Sequence, residues 1–174
     1  MQPAVAPEMQ PAVALLEKTP TVLETLLLSA PPSVLDWKPS PERWSIREVL
    51  AHLVDIEKLY VERVQRVLHE ESPDLPKFAP AGPLLGGPSA DAIDKLARFG
   101  TLRNELIGSL RNTPTTAAMR VGNHEELGAV TLAHLVNELA NHDLGHLRQI
   151  AELYRARAFY PNAGPFQRYS SPQP

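Results

Sequence analysis

The stretch TLAHLVNELANHDLGHLRQIAEL, residues 131–153, decides the fold of this 174-residue chain. Its apolar side chains recur every three or four residues, which is typical of an amphipathic α-helix. Thr131 stands where a helix N-cap is expected, and the pattern continues to about Arg157. The core-facing positions of this helix are, in order, Leu132, Leu135, Leu139, His142, His146, Gln149 and Leu153. The sequence therefore predicts a long helix whose buried face contains three consecutive polar residues.

The two histidines on this face indicate a metal site. Side chains four residues apart lie one helical turn from each other, so His142 and His146 can bind a single metal ion. Burying polar groups without partners costs about 1–3 kcal/mol each, and a metal would supply the missing partner. A pair of hydrogen-bonded core histidines is the alternative interpretation, because H-x-x-x-H is not a specific motif. The residue after His142 is Asp143 rather than glutamate, which argues against the H-E-x-x-H motif of metalloproteases.

A second helix has the clearest start signal in the chain. Ser45 and Glu48 match the capping-box pattern, and the apolar residues that follow recur at helical spacing to about Leu68. His52 lies on or beside this apolar face, so it is a candidate third ligand. Metal ligands in a helical bundle project inward from facing helices, and catalytic metal sites commonly combine three protein ligands with water.

Two more amphipathic helices complete the predicted architecture. The first has Thr19 as its N-cap and Pro20 in its first turn, and it ends before Pro31. The second runs from about Ser89 to about Leu110. Their predicted core residues are Val22, Leu23, Leu26 and Leu27 in the first and Ile93, Leu96, Phe99, Leu106 and Leu110 in the second. Four such helices without convincing strands predict an all-α four-helix bundle.

The segments outside these helices divide the chain into a bundle and two tails. Residues 1–11 are predicted to form a flexible, proline-rich tail, residues 12–160 the bundle, and residues 161–174 a C-terminal tail. Two long connections lie within the bundle: residues 71–88, rich in proline and glycine, and residues 113–130, with a short extended pair. Loops of this length are usually functional or mobile, so both are candidate walls or lids of the site.

Composition excludes several classes of protein. The formal net charge is −3 at pH 7 and no basic stripe is present, which argues against nucleic-acid binding. The chain has no cysteine, which excludes disulfides, thiolate ligands and a cysteine nucleophile. No apolar run approaches the roughly 18 residues of a membrane span, and the first residues lack a signal-peptide pattern. A cytoplasmic protein with a small-molecule partner is the expectation.

Four polar side chains near the three histidines are candidates for contacts that orient the ligand rings. They are Gln149, Asp143, Glu138 and Asp55. A solvated helix face is the alternative for each carboxylate, whereas Gln149 lies on the inward face of its helix. His69, His124 and His134 are predicted to lie at the surface, although a loop could present His124 to a substrate.

Two segments together resemble the DinB/YfiT-like superfamily. Residues 44–55, WSIREVLAHLVD, follow its W-S-x-x-E-x-x-x-H-L-x-D pattern, and residues 142–150 follow H-x-x-x-H-x-x-Q-I. The resemblance extends over about residues 12–157, nearly the whole chain. It implies a four-helix bundle with a long crossover connection, often assembled as a homodimer.

The same resemblance implies one divalent metal ion held by His52, His142 and His146. It also implies activity as a metal-dependent hydrolase or as a transferase that uses low-molecular-weight thiols. Three neutral imidazoles leave such an ion open coordination positions, and Zn, Ni, Fe, Co and Mn all suit the ligand set. Gly145 precedes His146 where the family often has a second histidine, which leaves the chemistry open.

The leading hypothesis is a metal-dependent enzyme that hydrolyses a small molecule or transfers a thiol to it. The alternative is a non-catalytic metal- or ligand-binding bundle with a stress-response role. A structural metal site would use four protein ligands, and the sequence offers no obvious fourth, which favours an open site.

Overall fold

The computed structural model describes residues 5–79 and 91–174. Within these ranges the chain is mainly helical, as predicted, and its main helices form a four-helix bundle. The helices are α1 (Gln10–Leu16), α2 (Thr19–Leu27), α3 (Pro32–Leu35), α4 (Ile46–His69), α5 (Ala92–Arg111) and α6 (Leu132–Tyr154). Helix α4 packs against both α5 and α6, and the consecutive helices α1 and α2 pack against the same two partners of α4. The α1–α2 pair therefore serves as the first helix of the bundle.

The two helices that carry the candidate site both begin with the predicted caps. The Ser45 hydroxyl accepts the Glu48 N–H at 3.2 Å, and the Glu48 carboxylate accepts the Ser45 N–H at 2.7 Å. At the start of α6, the Thr131 hydroxyl accepts the His134 N–H at 3.1 Å, while His134 Nδ1 accepts the Thr131 N–H. Both capping boxes satisfy N–H groups that a helix start leaves unpaired, which confirms these two boundaries.

The start of the bundle differs from the prediction in two respects. Thr19 is the first residue of α2 and not its N-cap, and its hydroxyl donates to the Leu15 carbonyl at 3.3 Å. Part of the predicted flexible tail, residues 1–11, is helical from residue 7 onwards. Ala6 and Met9 of that segment are buried against the bundle, because their apolar surface completes the core beside α6. Residues 1–4 lie outside the described part.

The core confirms most of the predicted apolar positions but not all of them. Leu23, Leu27 and the α5 residues Leu96, Phe99, Leu106 and Leu110 are buried. Val22 and Ile93 were predicted to be buried and are instead 41% and 56% exposed. Ile93 is in the first turn of α5, where Asp91 caps the helix by accepting the Ile93 N–H. The predicted start of this helix at Ser89 lies outside the described residues.

A small sheet, only part of which was predicted, lies between the C-terminal end of α4 and the N-terminal end of α6. Its strands are β1 (Asp74–Leu75), β2 (Val121–His124) and β3 (Gly128–Thr131). Strand β2 pairs in parallel with β1 and antiparallel with β3, so the predicted extended pair is confirmed and β1 is an addition. Gly122 allows close packing here: a Cβ atom at this position would lie 2.7 Å from the Leu75 side chain and 3.1 Å from the Val67 side chain, so a larger residue would displace them.

After α6 the chain turns back on the bundle. A π-helical turn, Arg155–Phe159, follows Tyr154 and leads into a 3-10 turn, Tyr160–Asn162. Pro161 lies at the start of that 3-10 turn, where the N–H that proline lacks would have had no partner within the turn. Gly164 then adopts a positive φ of 53°, which glycine accepts without strain. Among residues 5–79 and 91–174, no helix has both the length and the apolarity of a membrane span.

Candidate metal centre

The imidazoles of His52, His142 and His146 meet at one point between α4 and α6. His142 Nε2 lies 3.1 Å from His52 Nε2 and 3.2 Å from His146 Nε2. One ring nitrogen from each histidine lies within 4.8 Å of the other two, which is a spacing that a single metal ion can bridge. His52 is 9% exposed and the other two are half-buried, so the cluster is shielded but reachable.

The local structure explains how two distant parts of the sequence supply these three rings. His142 and His146 lie one turn apart on the face of α6 that packs against α4, as the helical spacing predicted. His52 lies in the second turn of α4, six residues beyond Ile46, and the capping box at Ser45 sets where that helix begins. The packing of α4 on α6 therefore brings together a site that no single segment contains.

The contact made by Gln149 determines which nitrogen of His146 faces the other rings. Gln149 Oε1 lies 2.9 Å from His146 Nδ1, where it accepts that nitrogen's hydrogen. A neutral imidazole has one N–H and one lone pair, so His146 Nε2 presents its lone pair to the cluster. This is the arrangement that metal-binding histidines usually show, with the second nitrogen held by an oxygen.

Burial favours the neutral forms of His52 and His142. Burial and, to a lesser degree, the neighbouring histidines lower the pKa of His52 to about 4. Burial and the nearby His146 also lower the pKa of His142 to about 4. Unprotonated rings have lone pairs to offer, so at pH 7 the donor chemistry of the cluster fits a divalent cation.

Two aromatic side chains that the sequence interpretation had not assigned to the site enclose the histidines. The Trp44 ring lies 5.0 Å from the His52 ring and is stacked on the His146 ring at 6.3 Å. The Phe78 ring meets the His52 ring edge-on at 5.9 Å. The sequence signal that could have assigned Trp44 to the site was its place directly before the cap of α4, the helix that carries His52. Phe78 belongs to the connection 71–88, a predicted wall, of which residues 80–88 lie outside the described part.

A cavity of about 760 Å³ opens beside His142 and His146. Its described lining comes from Arg43, from α6 and the turn after it, and from the segment 171–174. It includes no residue of 113–130, so the prediction that this second connection would form a wall does not hold for this cavity. The charged side chains of the lining are Arg43, Glu138, Arg148, Glu152 and Arg155.

The three carboxylates predicted near the histidines have different surroundings. Glu138 is exposed, lines the cavity and accepts the side-chain N–H of Asn141 at 3.3 Å. Asp55 is half-buried on α4, one turn beyond His52. Asp143 is fully buried and turns away from the rings, because its carboxylate binds Arg103 on α5.

Arg103 is the centre of a buried ionic network that the sequence interpretation missed. Its guanidinium donates to both Glu57 oxygens at 2.7 and 2.6 Å, to both Asp143 oxygens at 2.8 and 3.3 Å, and to the Leu16 carbonyl at 2.9 Å. The Leu16 carbonyl is available because Pro20 lacks the N–H that would bind it within a continuous helix. One side chain thus uses all five of its N–H groups to join the α1–α2 pair, α4 and α6 to α5.

A sequence signal for this network existed. Arg103 follows Phe99 by four residues and precedes Leu106 by three, so it lies on the apolar stripe of α5. Glu57 follows Leu53 by four residues in the same way on α4. Charged residues at core positions require partners, and periodicity alone could have identified both members of the pair.

The remaining histidines lie away from the cluster. His69 and His134 are exposed, as predicted. His124 is half-buried at the end of β2, and its Nε2 lies 3.2 Å from the Arg63 guanidinium.

A four-helix bundle that brings three histidines together between two of its helices is the class of protein that the fold and the site define. The chain belongs to the DinB superfamily, whose sequence profile matches residues 15–150. Its fold is similar to that of YfiT from Bacillus subtilis, described as a probable metal-dependent hydrolase with an unusual four-helix bundle topology. The two chains are 24% identical, the match covers 87% of this chain and 89% of YfiT, and the TM-score is 0.78. No curated protein matches the chain significantly.

Proposed function

We propose that this protein is a metal-dependent enzyme that acts on a small molecule, with one divalent transition-metal ion bound by His52, His142 and His146. The observation that carries the proposal is the convergence of the three Nε2 atoms, with neighbouring pairs only 3.1 and 3.2 Å apart. Hydrogen bonds alone satisfy this arrangement poorly. His142 Nε2 faces two ring nitrogens but has either one hydrogen or one lone pair, so it can form a full hydrogen bond with only one of them. A cation at the centre would use all three lone pairs together.

The residues present suit Zn, Ni, Fe, Co or Mn, all of which accept imidazole ligands. When bound, the ion supplies Lewis acidity that makes a water molecule or a thiol more acidic near neutral pH. Gln149 orients the His146 ring, and Trp44 and Phe78 limit the water that reaches the cluster from their sides. The adjacent cavity is large enough for a small-molecule substrate.

Two reaction types are compatible with this site. Hydrolysis is supported by the description of YfiT, whose fold this chain shares. Transfer of a low-molecular-weight thiol is the second, and it is supported only by the family resemblance of the sequence. A homodimeric assembly and a cytoplasmic location are predictions of the same kind.

The decisive experiment measures metal content by inductively coupled plasma mass spectrometry on protein purified without a histidine tag. We expect about one equivalent of metal in the native protein, since three histidines form one site. His52→Ala and His142→Ala should contain a small fraction of that amount. His69→Ala, which removes an exposed histidine away from the cluster, is the matched control and should keep the native content.

Each result separates the proposals. A full equivalent retained in His142→Ala would refute the assignment of the ligands. No metal in any sample, even after incubation with salts of the five metals, would favour the non-catalytic binding bundle. Metal in the native protein and in the control alone justifies a screen for hydrolysis and thiol transfer.

A further inference from the structure

Residues 170–174, here called the strap, border the cavity beside the histidine cluster. Ser171, Gln173 and Pro174 contribute to the lining of that cavity together with His142 and His146. The strap reaches this position because the chain reverses after α6. The segment matched by the superfamily profile ends at residue 150, so the strap lies outside the part that this chain shares with the profile.

Four hydrogen bonds connect the strap to the rest of the protein, and none of its residues is fully buried. No residue beyond Leu153 in this part of the chain is buried, so the strap adds nothing to the apolar core. Segments with few buried contacts and exposed hydrogen bonds belong to the least stable parts of a protein. The ties are Gln173 N–H to Glu152 Oε2 at 2.7 Å, Arg43 Nη2 to Pro174 O at 2.5 Å, Tyr160 Oη with Ser171 Oγ at 3.3 Å, and Arg155 Nη2 to Ser170 Oγ at 3.4 Å.

The two shortest of these hydrogen bonds connect the strap to Arg43 and Glu152, and both of these residues line the cavity. Glu152 binds the strap and also pairs with Arg155 one turn along the chain. Arg43 lies just before Trp44, whose ring stacks on His146. A ligand that enters this cavity therefore meets the same side chains that hold the strap in place.

We propose that the strap is a displaceable wall that limits access to the histidine cluster. In the closed position it occupies one side of the cavity and engages Arg43 and Glu152. When it is displaced, the cavity widens and the guanidinium of Arg43 becomes available to an acidic group on the incoming molecule. The selection of substrates by the strap rests on the proposed function, whereas the shielding of His142 and His146 does not.

The shielding can be tested on metal-free protein by the rate at which diethyl pyrocarbonate modifies each histidine, followed by mass spectrometry. A variant that ends at Tyr169 removes all four ties. We expect His142 and His146 to react at least about fivefold faster in it, the change that one lost hydrogen bond of this kind produces. His69 and His134 are exposed and lie outside the cavity lining, so their rates serve as internal controls and should not change.

Two point variants test the same inference without shortening the chain. Glu152→Ala removes the acceptor of the Gln173 N–H and should accelerate modification of His142 and His146. Glu152→Gln keeps a side-chain oxygen at that position and should behave like the native protein. Arg43→Ala removes the other short tie and should resemble Glu152→Ala. Circular dichroism confirms that each variant is folded before rates are compared.

A second measurement uses the cobalt-loaded full chain and the shortened variant. Removal of Co²⁺ by a chelator should be faster in the shortened variant, because the chelator must pass the same opening. If His142 and His146 are modified at equal rates in the native, shortened and Glu152→Ala proteins, the proposal that the strap limits access to the histidine cluster is refuted. Failure of either protein to bind Co²⁺ would count against the proposed function and would leave the modification rates as a valid test of the strap.

Discussion

Replacing Arg103 by methionine should destabilise the protein strongly. The guanidinium is 1% exposed, and so is Asp143, while Glu57 is fully buried. Methionine has a similar length but donates no hydrogen bond, so two carboxylates and the Leu16 carbonyl lose their partner inside the core. Breaking a buried ion pair by removing one member costs about 3–5 kcal/mol. In a chain of this size each kcal/mol changes the melting temperature by about 2–4 °C, so a decrease of roughly 6–20 °C is expected.

The pH dependence of this effect provides a second check. Burial raises the pKa of Glu57, and its hydrogen bond with Arg103 opposes that rise. Without Arg103 the folded variant should hold a proton on Glu57 that the unfolded chain has already released. The folded state then binds more protons than the unfolded state, so the free energy of unfolding of the variant increases as the pH falls. The deficit relative to the native protein should therefore be smaller at pH 5 than at pH 8.

Urea unfolding followed by circular dichroism at pH 5 and at pH 8 measures the loss in the free energy of unfolding and its pH dependence. Arg98→Met, which changes an exposed arginine of the same helix, is the matched control and should alter the free energy of unfolding by less than about 0.5 kcal/mol. A loss in Arg103→Met no larger than in this control would refute the conclusion that the network joins the helices. The triple variant that also carries Glu57→Leu and Asp143→Leu should recover much of the loss, because no unpaired charge remains.

Three further predictions concern the centre and its helix. Gln149→Leu should weaken metal affinity about 10- to 100-fold without loss of fold, because the ring-orienting oxygen is removed; a competition titration with a chromogenic chelator tests this, and an unchanged affinity would contradict it. Metal-free protein should lose stability as the pH falls from about 6.5 to about 4, because the pKa values of His52 and His142 are lowered on folding and the unfolded chain takes up protons first. Its melting temperature should therefore decrease across this range. A melting temperature that does not change with pH would contradict the conclusion that the two buried rings are neutral. Ser45→Ala should cost about 1 kcal/mol, since it removes the cap of α4, whereas Ser45→Asp should keep most of the stability.

The helices and their caps were predictable because they depend on neighbours in sequence. The capping box of Ser45 and Glu48 joins residues three apart, and so does the cap at Thr131. The spacing of His142 and His146 is likewise local, because α-helical geometry places both on one face. Thr19 shows the limit of this approach. It was predicted to cap α2, but its hydroxyl donates to the Leu15 carbonyl instead, because the chain before it is already helical.

Exposure of apolar residues was less predictable from periodicity. Val22 and Ile93 satisfy the helical pattern and still face solvent. Periodicity identifies a stripe, but how wide a part of it is covered depends on the helix packed against it. Ala6 and Met9 were assigned to a tail for a different reason: the segment is proline-rich, but Pro7 and Pro11 lie in the first turns of short helices, and the two side chains complete the core beside α6.

The sequence by itself determined the helices, their main caps, the paired histidines on one face and the absence of cysteine side chains from the site. Each of these follows from residue type and from contacts within one or two helical turns. Only the tertiary structure decided that His52 meets His142 across 90 residues and that Arg103 binds Glu57 and Asp143 across 46 and 40 residues. Such pairings are chosen when helices pack and exclude water, because a buried charge or imidazole must then find a partner on another helix.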